Sequence, residues 1–138
     1  MKQIDIEVEG VVGVAELLES NAPRTVAAFW DSLPISATLS HVKWSGRACR
    51  FEVPEKALAK ASEQEHPVCS IYPGTLATRS DHGEVLLSYG PSEYRSDLGV
   101  EYVTRIGRLV ENQDAIRKVL AGMHSDGDKQ IVVRRRSG

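Results

Sequence analysis

The sequence predicts a mainly-β domain, either a small closed barrel with two or three short helices or a two-layer α+β sandwich. Three observations lead there. Apolar residues recur at a period of two along most of the chain. The alternating runs are short, about eight in number, and bounded by Gly, Pro and Asp turn signals. No strand–helix–strand alternation is sustained and no fixed repeat occurs, so a parallel doubly wound sheet is disfavoured. With 138 residues the chain reads as a single domain, 1–138. A chain of this length buries roughly two thirds of its unfolded surface and needs no disulfide or metal to hold a core.

The elements follow in order. Ile4, Ile6 and Val8 share one face, with Asp5, Glu7 and Glu9 on the other, which is the pattern of a half-buried strand. Gly10 breaks it, and Val12, Val14 and Leu17 resume, so 2–18 forms an antiparallel pair. Asn21-Ala22-Pro23 then opens a helix whose Val26, Phe29, Trp30 and Leu33 fall on one side, and Pro34 ends it. A second strand pair carries Ala37, Leu39, Val42 and Trp44, then Ala48, Phe51 and Val53, with Ser45-Gly46 as its turn. The stretch 55–65 has good helix formers and a thin apolar stripe, giving a short surface helix or an ordered loop. Three short strands at 68–72, 76–79 and 85–89 are separated by Pro73-Gly74 and Asp81-His82-Gly83, and Gly90-Pro91 closes the set. The polar stretch 91–102 has no period and is long enough for a functional loop. A strand at 102–110 and a helix at 112–121, with Ile116, Val119 and Leu120 inward and Gly122 near its end, come next. Ile131-Val132-Val133 is the closing strand, expected beside the N-terminal one, and Arg134-Arg135-Arg136 reads as a solvated tail.

Composition excludes several functions. Seventeen Lys and Arg against nineteen Asp and Glu leave a net charge of −2, so nucleic acid is not an expected partner. No apolar run approaches the roughly 20 residues that span a bilayer, and no membrane partner is expected. The charged, alternating start Met1-Lys2-Gln3-Ile4-Asp5 does not read as a signal peptide. Two cysteines, Cys49 and Cys69, make neither a disulfide framework nor a zinc site, so the expectation is a reduced, cytoplasmic chain without a metal. No phosphate-binding glycine loop is present, and no cofactor is expected. A homo-oligomer stays open.

The run Ala22-Pro23-Arg24-Thr25-Val26-Ala27-Ala28-Phe29 looks like the first helix of cyclophilins, and it follows two opening strands as theirs does. Joined with His41-Val42-Lys43-Trp44-Ser45-Gly46-Arg47-Ala48, Tyr72-Pro73-Gly74 and Glu84-Val85-Leu86-Leu87-Ser88-Tyr89-Gly90, it resembles the bacterial cyclophilin-like proteins of the DUF3830 family, over about 3–136. The resemblance implies a cyclophilin-like closed β-barrel. It brings no activity with it. True cyclophilins place an arginine on an aromatic-rich strand before a Gly-Phe-Met-x-Gln-Gly-Gly-Asp-type run, and the strand holding Arg47, Arg50 and Phe51 has no such continuation. Prolyl isomerase activity is therefore disfavoured, because function resides in the site and not in the barrel.

The candidate chemistry is sparse. His41, on a strand, and Glu84, opening an apolar strand, are the candidate acid–base pair, expected to face one cavity. A carboxylate beside Val85 and Leu86 needs compensation for its desolvation, and an imidazole can supply it. Equally, Glu84 can be a gatekeeper charge at a strand edge, and His41 a structural histidine. His41 and His82, with Asp81 beside it, could bind a metal or serve acid–base chemistry, or be surface or structural histidines, while His66 and His124 read as exposed. Trp44 can cap the core through its indole or wall a ligand pocket. Trp44 and Ser45, with Tyr72, Tyr89 and Tyr94, form the candidate ligand-binding set. Ser70, Ser88 and Ser92 lack a nucleophile elbow, and Cys49 and Cys69 read as core fillers. The functional expectation is a protein that binds or converts a small organic molecule in a surface pocket of the barrel. The rival is a binding or assembly module without catalysis.

Overall fold

The computed structural model describes residues 2–42, 45–54, 58, 64–79, 83–96 and 99–136. The chain opens with a hairpin of β1 (Gln3–Val8) and β2 (Val11–Leu17), paired from Gln3↔Glu16 to Val8↔Val11. Its two-residue loop, Glu9-Gly10, has φ of 51° and 76°, the double left-handed turn whose twist suits a hairpin. The helix α1 (Pro23–Ser32) follows, then β3 (Ile35–His41) and β4 (Gly46–Glu52). Next come β5 (Ser70–Ile71), β6 (Thr75–Arg79) and the long β7 (Glu84–Glu93). A small pair, β8 (Arg95–Ser96) and β9 (Gly99–Val100), precedes β10 (Thr104–Glu111), the helix α2 (Gln113–Asp126) and β11 (Lys129–Arg135).

The strands close on themselves. The order β4-β3-β11-β1-β2-β10-β6-β7 returns to β4 through six register pairs from Gly46↔Ser92 to Glu52↔Glu84, giving an eight-stranded barrel with β5 added beside the end of β7. The expected meeting of first and last strands occurs as Ile4↔Arg135 through Val8↔Ile131. Closure leaves neither β4 nor β7 with an unpaired edge. Ile4, Ile6, Val8, Phe51, Leu87 and Ile131 fill the interior, while Val26 and Phe29 of α1 and Ile116, Leu120 and Met123 of α2 complete the same core. A second, smaller core lies outside the barrel wall, where Ala48, Ala77 and Leu86 meet Ile71, Tyr94 and Val103.

Several boundaries differ from the sequence reading. Gly90-Pro91 does not end β7, which runs on to Glu93. Between the pairs Ala48↔Ser88 and Gly46↔Ser92, β7 has three residues where β4 has one, so Pro91 sits in an irregularity that needs no N–H from it. The second helix extends to Asp126 because Met123 is still buried in the core, and it stops only at Gly127, whose φ is 87°. Arg134 and Arg135 belong to β11, and the arginine run is not a loose tail. Arg134 pairs with Glu7 at 3.1 Å and Arg136 with Asp5 at 2.9 Å, because antiparallel pairing lays them along the acidic face of β1. Of the 68–72 run only Ser70–Ile71 is strand, with Val68 making a single bridge to Val103. Most of 55–65 lies outside the described residues, as does the turn at 80–82 with His82.

Candidate functional site

A cavity of about 650 Å³ opens on the outer wall where β4 starts and β7 ends. Ser45 and Gly46 lie on one side, Ser70 and Ile71 of β5 on another, and Tyr72-Pro73 forms a third. Pro91, Ser92 and Glu93 of β7, with Arg95, complete it. Local backbone chemistry explains the shape. The Ser88 hydroxyl donates to the Tyr72 carbonyl and accepts the Thr75 N–H at 3.1 Å, which pins the Tyr72-Pro73-Gly74 turn over the sheet. Gly46 has a φ of 107°, and a Cβ there would stand 3.1 Å from the Pro91 carbonyl oxygen, so only glycine lets β4 pass so close to β7. The Ser45 hydroxyl accepts the Arg95 N–H at 3.1 Å and ties the far wall to β4.

The walls are mixed in chemistry. Ile71, Pro73, Pro91 and the exposed Tyr72 offer apolar surface. Glu93 and Arg95 form an exposed ion pair at 3.3 Å. Ser92 is 92% buried, since only 8% of its surface is exposed, and its hydroxyl has no hydrogen-bond partner among the described residues. A buried hydroxyl left unpaired costs free energy unless water or a ligand satisfies it.

His41 and Glu84 do not meet. His41 pairs with Cys49 across β3 and β4, whereas Glu84 pairs with Glu52 across β4 and β7. Those positions lie three steps apart on β4, about 10 Å along the strand, and an odd step reverses the face. His41 therefore shares the inner side with Cys49, toward α2, where its Nε2 is 2.6 Å from the Tyr89 hydroxyl. The His124 ring stands edge-on to it, with centroids 5.2 Å apart. The Cys49 thiol lies 3.7 Å from the Met123 sulfur, and burial pushes its pKa up to about 12. Burial also raises the Tyr89 pKa, with Cys49 adding to the effect and Arg47 opposing it.

Glu84 points to the outer wall, where the Arg50 Nη1 lies 3.4 Å from its carboxylate. The compensation expected for its desolvation is thus supplied by an arginine and not by an imidazole. Tyr94 is almost fully buried in the same outer layer, with the Arg79 guanidinium 5.9 Å from its ring centre and Arg79 paired in turn with Glu101. Burial first and the Glu84 charge second push the Tyr94 hydroxyl up to about 12. Tyr94 packs beneath the Glu93–Arg95 wall and does not line the cavity. Of the candidate ligand-binding set, Ser45 and Tyr72 line this cavity, Tyr89 faces the α2 side of the barrel, and Trp44 lies outside the described residues. Among the described residues no group of three or more His, Cys, Asp or Glu is placed to hold a metal, and no helix is long and apolar enough to cross a membrane.

The model of a family described as protein of unknown function, DUF3830, matches residues 4–133. The chain belongs to the DUF3830 family. Its barrel is similar to solved structures that share the cyclophilin-like fold. McbB in complex with tryptophan superposes with a TM-score of 0.80 at 19% identity, over 98% of this chain. The match takes in 45% of McbB, so this chain spans less than half of that protein. The solution structure of a hypothetical protein from Archaeoglobus fulgidus gives 0.66 at 23% identity, covering 98% of this chain and 95% of that one. A cyclophilin-type peptidyl-prolyl cis-trans isomerase from Cryptosporidium parvum, crystallised in the presence of the dipeptide Ala-Pro, gives 0.64 at 16% identity, covering 99% of each chain. No curated protein sequence matches significantly.

In this DUF3830 domain the sequence points to Ser92 only as a serine without a nucleophile elbow, and it does not single out Arg95. Their signal was the aperiodic stretch 91–102, which already stood out as a functional loop. What hid them is that β7 carries its alternation through Pro91, so Ser92 is a strand residue facing the cavity and not a loop residue.

Proposed function

We propose that this domain binds a small organic molecule in the cavity between Ser45, Tyr72, Ser92 and Arg95. The observation that carries this reading is the buried Ser92 hydroxyl, unpartnered among the described residues, at the wall of an open cavity of about 650 Å³. Ligand sites of this size combine apolar walls with a few convergent polar groups. Here Tyr72, Pro73 and Pro91 provide flat apolar surface for a ring or short chain. The Glu93–Arg95 pair at the mouth offers both signs of charge, which suits a carboxylate or a zwitterionic head group. The tryptophan held by McbB, whose fold this chain shares, supports placing free amino acids among the candidates. Binding without conversion is the favoured form, because His41 and Glu84 stand on opposite faces of the sheet and supply no acid–base couple to one ligand.

The test is a thermal-shift screen with small organic acids, amides and free amino acids, followed by calorimetry on the hits. Ser92→Ala and Arg95→Gln are each expected to weaken a true hit by about tenfold, the effect of losing one hydrogen bond to a charged or buried group. A hit of unchanged affinity in both variants, or a panel without any hit, would remove this cavity as the site.

A further inference from the structure

A second cavity, of about 420 Å³, lies between β7 and α2. Asp114, Arg117, Lys118 and Ala121 line it from α2 at spacings of three, four and seven, so one face of the helix forms its wall. Tyr89 and Arg47 close it from the sheet. Three cations thus surround one carboxylate. No ion pair of Arg47, Arg117 or Lys118 forms among the described residues, although both signs are common on this surface. Three cations against the single Asp114 carboxylate leave the cavity with an excess of positive charge whose members repel one another.

Two of them are also held in place, which a solvated helix face does not require. The Arg117 Nε donates to the Tyr89 carbonyl at 3.0 Å, which fixes the plane of the guanidinium and leaves its terminal nitrogens to the cavity. The stem of Arg47 lies flat on Gly90: a Cβ at that position would stand 2.5 Å from the Arg47 Cδ and 2.9 Å from its Cβ. Glycine at 90 therefore gives the Arg47 chain its track toward the cavity. Arg47 comes from β4 and Arg117 from α2, so the barrel and its capping helix together position the two forks.

We infer that the Arg47–Arg117–Lys118 cavity is a binding site for a small dianionic oxyanion, of the phosphate monoester or dicarboxylate class. Planar forks on two elements suit the oxygens of such a group, and Lys118 adds a point charge beside them. The site is separate from the Ser92 cavity and does not depend on it.

The experiment titrates the intact protein with inorganic phosphate and with succinate against chloride at equal ionic strength. Calorimetry reads affinity and amide chemical shifts read position. The expected result is binding of at least one of the two dianions, with shifts centred on Gly90 and on 114–121. The double variant Arg47→Gln/Lys118→Gln changes two exposed side chains without ion pairs, so its fold is retained, and its affinity is expected to fall tenfold or more. Arg95→Gln, at the other cavity, is expected to leave affinity unchanged. Preference for phosphate or for succinate assigns the ligand class. The inference is overturned if the double variant binds as the parent does, if the shifts centre on 45–46 and 91–95, or if chloride gives the same response.

Discussion

Glu65 caps a helix from forty residues away, and removing it should destabilise the whole barrel measurably. Ala22 at the head of α1 provides no side-chain cap, and the first turn holds no acidic residue. The Thr25 N–H and the Thr25 hydroxyl instead both donate to one Glu65 oxygen at 2.8 Å each. Thr25 is fully buried, so Glu65→Ala leaves two donors without a partner. Loss of a cap and of hydrogen bonds to a charge costs about 2 kcal/mol. For 138 residues the unfolding entropy is about 0.29 kcal/mol/K, which makes the expected fall in Tm about 7 °C. The pH dependence has a definite sign. Burial pushes the Glu65 carboxyl up, but the bonds from Thr25 and the nearby Arg24 outweigh it and hold the pKa below the usual carboxylate range. The stabilisation is therefore complete above the ordinary glutamate pKa and is lost as pH falls through the lower, folded value. Glu65→Gln keeps an acceptor but not the charge, so its deficit should be smaller than that of Glu65→Ala and should close in acid. Thermal melts followed by circular dichroism between pH 7 and about pH 3 measure both effects. A Glu65→Ala melt within 1 °C of the parent at neutral pH, or a Glu65→Gln gap that stays constant into acid, would refute this account of α1.

Gly90→Ala places a methyl group against the Arg47 stem and is expected to cost about 1–2 kcal/mol, with Arg47→Ala recovering part of it in a double-mutant cycle, since it removes the Cδ 2.5 Å away but keeps the Cβ 2.9 Å away. Additive losses would show that the two positions do not touch. Cys49, with its thiol pushed up to about 12 by burial, should resist alkylation at neutral pH until the protein unfolds. Modification of native Cys49 at the rate of a free thiol would contradict that burial. A protease-coupled peptide assay is expected to show no prolyl isomerisation above background, since the strand holding Arg47, Arg50 and Phe51 lacks the cyclophilin run. Turnover at an ordinary enzyme rate would restore the isomerase reading.

The alternation of Ile4, Ile6 and Val8 and the run Ile131-Val132-Val133 were enough to place two barrel strands side by side, because period two on one buried face specifies a strand almost without context. Pro23 and the 3–4 spacing after it were likewise enough for α1. Pairing register is a different kind of information. The local apolar context of Glu84 is visible in sequence, but whether an imidazole or a guanidinium compensates it depends on which residue of β4 lies opposite. In the observed register Glu84 lies opposite Glu52 and is reached by Arg50 on the same face of β4, while Cys49 and its partner His41 fall on the other face; a shift of one position would exchange the two faces. The same holds for Ser92, whose burial depends on β5 coming alongside β7, and for Arg47 and Arg117, seventy residues apart until α2 folds across the end of the barrel. Strand and helix identity are written in local periodicity, which any short window contains. The candidate sites are made by contacts between distant segments, and only closure of the barrel selects among the pairings that the local patterns allow.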